Sequence, residues 1–363
     1  MFYGYAAFWA RNSLVLVMLA AAFPTAGAAQ DSSKTASAQS EQYQGEDDHH
    51  LRLNFVDRQR MLNEMIVKSL CLVDQRVKRS MYRNQLAVAQ FAYQETLLHL
   101  TQGSAALKLA PEAREELRKA IEDLKAEWVK YAAVLNGWSV ARWGKKLFAV
   151  KVYEVNEALA VRLQQVNDLY RGVYEKQRVI GSEARAGILL AGRQRMLTQK
   201  MTKELCQLAQ SYNVDETRKR LNESLSQFAK TTKTLAKGDP EAGLNGEPPG
   251  MALELMERSE AVFATAEPIL TAAASGNLAT PEQLSLVAEA NDKALHTWGK
   301  AASVYELLKE RASAEQQDDK HCAAGTEQLD AKALGVLRTE GDDRPDISNR
   351  ARDRLDQLAE PPC

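Results

Sequence analysis

The chain has 363 residues, enough for two or three domains of ordinary size. Charged residues make up 26% of it, yet the net charge is −1, which excludes a global pull toward nucleic acid or an anionic membrane. Ala, Leu, Glu, Lys, Arg and Gln dominate while Gly and Pro are sparse, a composition that favours helix over strand.

Residues 1–28 read as a secretory signal peptide. Arg11 closes a weakly basic opening, Leu14 to Phe23 is an apolar run, and Ala26-Gly27-Ala28 fits a small-x-small cleavage site. The competing reading is an uncleaved anchor. The run is short for a bilayer span and no Cys follows it, so a lipoprotein anchor is not expected. Cleavage near Ala28 would release an exported, periplasmic protein in a compartment where disulfides persist. Residues 29–46 are polar and expected to form a disordered leader.

From Leu51 onward the apolar pattern is helical. It predicts helices near 51–75, 78–102, 111–135 and 145–177, then near 182–211, 214–237, 250–275 and 281–311. Gly103 to Pro111, Asn136-Gly137, Gly238 to Gly250 and Ser275-Gly276-Asn277 are the expected breaks, and Pro111, Pro249 and Pro281 sit near helix starts. Residues 312–363 are acidic and Asp-rich and read as a mostly disordered tail.

"DRQRMLNEMIVKSLC", from Asp57 to Cys71, returns as "GRQRMLTQKMTKELC", from Gly192 to Cys206. Arg60 and Arg195 lie 135 residues apart, as do Cys71 and Cys206, Gly103 and Gly238, and Trp128 and Phe263. The interval divides the chain into repeats at 47–179 and 180–311, each with room for four helices. The expected fold is all-α: two tandem four-helix up-down bundles.

At about 100° per residue, Cys71 falls about 20° from Arg60 on the helix surface, three turns on. Glu64 and Val67 flank that line, and Arg195, Gln199, Thr202 and Cys206 form the matching stripe. Met61, Leu62, Met65 and Ile66 cover most of the remaining surface, so the helix is expected to be buried. A buried Arg needs a partner, because an unpaired buried charge costs several kcal/mol.

"AGRQRMLTQKMTKE", from Ala191 to Glu204, closely resembles the signature of the type IV pilus methyl-accepting chemotaxis transducer N-terminal (PilJ-type) domain, a relative of the nitrate/nitrite sensor domain. "VDRQRMLNEMIVKS" matches more loosely. The resemblance implies a dimerising four-helix bundle in which an Arg of the first helix faces its twin across a bound anion. By position those are Arg195 and Arg60, with Gln199 and Glu64 beside them. Two repeats in one chain would then build the dimer internally. The same arrangement implies that Cys71 approaches Cys206, with Cys322 and Cys363 as a second candidate pair; free buried thiols are the alternative.

The function implied is that of an exported, non-enzymatic sensor. It would bind a small polar or anionic ligand, nitrate or nitrite by analogy, and signal to a membrane receptor or a chemotaxis or pilus component. The charge count leaves a second reading open. Asp57 and Glu64 lie within about 60° of Arg60 on the helix and bring the site near neutrality. A Glu64–Arg195 pair in a structural or adaptor protein of the envelope fits equally.

His49-His50 and His321-Cys322 are isolated pairs, and no metal or other cofactor is expected. His99 and His296 are single residues on helices. Trp138 and Trp143 with Arg142, Lys145 and Lys146 form a basic aromatic corner, a docking surface or an ordinary inter-helix contact. No nucleophile-base arrangement suggests an enzyme.

Overall fold

A computed structural model describes residues 48–322, except 108, 142–144, 176–181 and 247. The chain divides into two units, Met1–Gly45 and Glu46–Cys363, and every described residue lies in the second. The expected signal peptide, the leader, Trp143 and Cys363 fall outside the described residues, as do the side chains of His49, His50, His321 and Cys322.

Among the described residues the protein is all-α, with no strand. The helices are α1 (Asp48–Asp74), α2 (Arg79–Gln102), α3 (Glu115–Val140), α4 (Lys145–Glu175), α5 (Ser182–Ala209), α6 (Val214–Lys237), α7 (Gly250–Phe263), α8 (Glu267–Ala274) and α9 (Pro281–Cys322). α1 packs against α2, α4 and α5, while α5 packs against α1, α6 and α9. α3 lies on α4, and α7 lies on α9. Helices α1 and α5 are therefore enclosed on several sides, and they bury polar side chains such as Gln59, Asn63, Gln194 and Gln199 along with their apolar ones.

Geometry recurs at the 135-residue interval. α1 and α5 end in the same way: Val77 N–H donates to Leu72 O at 2.9 Å, and Tyr212 N–H to Gln207 O at 3.0 Å. Each bond spans a left-handed residue, Arg76 or Ser211, in the six-to-one pattern that satisfies orphan carbonyls at a helix end. α2 and α6 stop at Gly103 and Gly238, with φ of 73° and 74°. Each is followed by one isolated antiparallel bridge, Ser104 to Leu109 and Asp239 to Leu244. In the core Tyr93 stacks on Trp128 with centroids 4.1 Å apart, and Phe228 meets Phe263 at 4.3 Å.

Four expectations need correction. The third helix begins at Glu115, because Pro111 to Arg114 stay non-helical while Glu112 accepts from the Arg114 N–H and pairs with buried Arg52. Asn136-Gly137 is no break. α3 runs through it, and the missing side chain lets α4 approach, since a Cβ on Gly137 would lie 2.9 Å from the Phe148 ring. The helix expected at 250–275 is split into α7 and α8, because Pro268 lacks the N–H that would bond the Ala264 carbonyl. α9 continues to Cys322, eleven residues into the segment read as tail.

Candidate functional site: the α1–α5 contact

Seven-residue steps bring Asp57, Glu64 and Cys71 to one line on α1, and Gly192, Gln199 and Cys206 to the matching line on α5. The two lines meet. Cys71 and Cys206 form a disulfide with their Cα atoms 6.2 Å apart, and both residues are fully buried. Two heptads earlier Asp57 lies over Gly192, whose ideal Cβ would sit 3.5 Å from the Asp57 Oδ2. Equivalent residues thus meet at both ends of the contact, so α1 and α5 run in parallel.

The middle of the contact is polar and buried. Lys203 Nζ lies 2.5 Å from Glu64 Oε2 and donates to Asn156 Oδ1 at 3.2 Å. Asn156 Nδ2 donates to the Asn63 carbonyl at 3.1 Å. On the other side Lys68, equivalent to Lys203, pairs with Asp292 at 2.5 Å, and Asn291, equivalent to Asn156, donates to Thr202 Oγ1 at 2.7 Å. α4 reaches across to α5 and α6, as α9 reaches across to α1 and α2. Such reciprocity is the property of an isologous interface.

Glu64 is therefore committed to Lys203 and makes no bridge to Arg195. Gln199 is fully buried, and its Nε2 approaches Thr198 Oγ1 at 3.4 Å. Trp138 is buried, and its Nε1 donates to Asp74 at 3.1 Å, so that residue belongs to the core. His99 stacks on Phe55, and His296 is exposed.

One turn from Asp57 lie the arginines. Arg60 Nη1 donates to Asp57 Oδ1 at 3.2 Å. Arg193 donates from Nη2 to Gln227 Oε1 at 3.1 Å. Burial lowers the Arg193 pKa, the Arg60 and Arg171 charges lower it further, and Asp57 opposes them. Burial likewise lowers the pKa of Arg195; neighbouring Arg58 adds to the effect, while Glu306 and Asp57 oppose it. The arginine charges thus act on one another as Arg60 and Arg171 on Arg193, and as Arg58 on Arg195; Arg60 is not among the charges that shift Arg195.

Residues 182–292 match the family model described as type IV pili methyl-accepting chemotaxis transducer N-term. The matched segment carries Arg193, Arg195, Gln199 and Cys206. Neither the curated proteins nor the solved structures contain a significant match to the chain. Among the described residues no cluster of His, Cys, Asp and Glu could hold a metal ion, and no helix is long and apolar enough to cross a membrane.

Sequence reasoning reached Cys71 and Cys206 but missed Lys68, Lys203, Asn156 and Asp292. The repeated Lys was a signal, since Lys68 and Lys203 also stand 135 residues apart. Their partners lie on the fourth helices, where no motif marks them.

Proposed function

We propose that the chain is an exported, non-enzymatic sensor built from two PilJ-type repeats, 47–179 and 180–311, folded into an internal pseudo-dimer. The family match over 182–292 supports the second repeat, and the 135-residue recurrence of caps, bridges and ring stacks supports the first. The ligand is a small anion held at the α1–α5 contact by Arg60 and Arg195, with Gln199 beside them; nitrate and nitrite are the family-based candidates. The observation that carries this reading is the excess of guanidinium over carboxylate there, with Glu64 already neutralised by Lys203. Binding would shift the relation of α1 to α5, and a separate membrane receptor or chemotaxis or pilus component would read that shift. The Cys71–Cys206 bridge fits an oxidising compartment and so a periplasmic location.

Calorimetric titration with nitrate, nitrite and small carboxylates, on the parent and on Arg195→Ala, tests the proposal. Heat that disappears in the variant supports it, and silence in both proteins refutes it. The second reading is an envelope adaptor without a ligand. The internal pairs Arg60–Asp57 and Glu64–Lys203 favour it, and that silence is its expected result.

A further inference from the structure

The two repeats differ in a groove between their first and second helices. In the first repeat a cavity of about 310 Å³ opens there, at the small end of the roughly 300–1,000 Å³ typical of ligand pockets. Met61 and Met65 of α1 and Val88 and Ala92 of α2 give it an apolar lining, and Arg58 and Arg195 line it with them. In the second repeat the equivalent of Met65 is Lys200, that of Val88 is Glu223 and that of Ala92 is Gln227. There Arg193, the equivalent of Arg58, spends a donor on Gln227. The first repeat offers no such acceptor at Ala92.

Arg58 is exposed and Arg195 is partly buried, and neither has an ion pair or side-chain hydrogen bond among the described residues. The carboxylate charges acting on Arg195 are those of Glu306, which also accepts from Asn54 Nδ2 at 2.8 Å, and Asp57, which is paired with Arg60; neither is within ion-pair distance of Arg195. Two like charges lining an apolar groove ask for an anion with an apolar body. A bare inorganic anion would satisfy the guanidinium groups and leave Met61, Met65 and Val88 wet. A hydrocarbon would cover the apolar lining and leave the charges unmet.

We propose that this groove binds a medium-chain alkyl monocarboxylate, its carboxylate between Arg58 and Arg195 and its chain along Met61, Met65 and Val88. The site shares Arg195 with the anion site of the proposed function and differs from it in Arg58 and the apolar groove, so the dependence on chain length is what tells the two apart. Each methylene that leaves water strengthens binding at most about fourfold, so an open groove that covers the chain partly should favour octanoate over butanoate by about tenfold or more.

The test is calorimetric titration of the full chain with octanoate, butanoate and nitrate. Arg58→Ala removes one head group at an exposed position. Val88→Glu installs the carboxylate of the second repeat, also at an exposed position, 66% accessible. Octanoate should bind about tenfold or more tightly than butanoate, each variant should weaken octanoate by about tenfold, and Val88→Glu, which removes no arginine, should leave any nitrate response in place. Equal affinity for the two chain lengths, octanoate binding that both variants leave unchanged, or no octanoate binding overturns the proposal. A silent nitrate titration beside chain-length-dependent octanoate binding would sink the nitrate reading and keep this one.

Discussion

Reducing the Cys71–Cys206 disulfide should cost the protein more stability than any single side-chain truncation. The bridge closes a loop of 135 residues and ties α1 to α5, the two most enclosed helices. In the chain-entropy model a loop of that length stabilises the folded state by about 5 kcal/mol, because the cross-linked unfolded chain has fewer conformations to lose. Both residues are fully buried, so a reductant should act mainly on molecules that have opened. Urea unfolding with and without dithiothreitol, followed by circular dichroism, measures the difference as a shift in midpoint. Alkylation in denaturant before reduction tells whether the two thiols are protected. Midpoints that agree within error, or free Cys71 and Cys206 in the native oxidised protein, would refute the reasoning. The wrong inference would then be the parallel α1–α5 register, since the bridge requires the equivalent residues to be neighbours.

Three further outcomes follow from single sites. Asp292→Ala strands the Lys68 ammonium, which has no exposed surface, and should destabilise the fold by about 3–5 kcal/mol in urea titration. Gly103→Ala should lower the melting temperature, since its Cβ would meet the Leu109 carbonyl at 2.4 Å with φ at 73°, while Gly246→Ala, with nothing within 4 Å, should have little effect. Glu204 is fully buried, and burial raises its pKa above 4.5 despite the Lys200 and Lys203 charges. A carboxyl with a raised folded-state pKa binds more protons folded than unfolded, so it costs nothing below 4.5 and progressively more as pH rises above it. Glu204→Gln should therefore stabilise the protein at pH 7 and flatten the fall in stability as pH rises above 4.5, as read from melting curves across pH.

The helices were legible because their signals are local. Apolar residues recur at helical spacing, and Gly103, Gly238, Pro249 and Pro281 mark ends that the chain respects. Gly137 misled for a physical reason: glycine signals a turn when its φ is positive and a close approach when a neighbour needs the space, and the sequence alone does not separate the two. The candidate site was legible in its first helices and opaque beyond them. Glu64 reads equally well as a partner for Arg195 or for Lys203, because both stand on the facing helix. Tertiary placement chose Lys203, where Asn156 of α4 completes the hydrogen bonding. The groove at Arg58 was invisible for the same reason, since its walls come from three helices.

The two repeats also show what joining them in one chain permits. In a dimer of identical subunits the same residue meets itself at the axis. Two copies of Asp57 would face each other there, and two carboxylates about 4 Å apart repel by about 4 kcal/mol at the effective dielectric of a protein surface. In the fused chain the facing residue is Gly192. Its missing side chain makes room for the Asp57 carboxylate, which then sits among Arg60, Arg193 and Arg195. The asymmetry therefore sets the charge of the site. Gly192→Ala should be tolerated or stabilising by up to about 1 kcal/mol, because its Cβ makes an ordinary contact and alanine favours helix. Gly192→Asp should be strongly destabilising, and Asp57→Gly in the same chain should restore most of the loss by moving the lone carboxylate to the other helix. A double-mutant cycle in urea measures that coupling. Independent, additive effects of the two substitutions would mean that positions 57 and 192 do not meet, and the internal pseudo-dimer would lose the contact that defines its upper end.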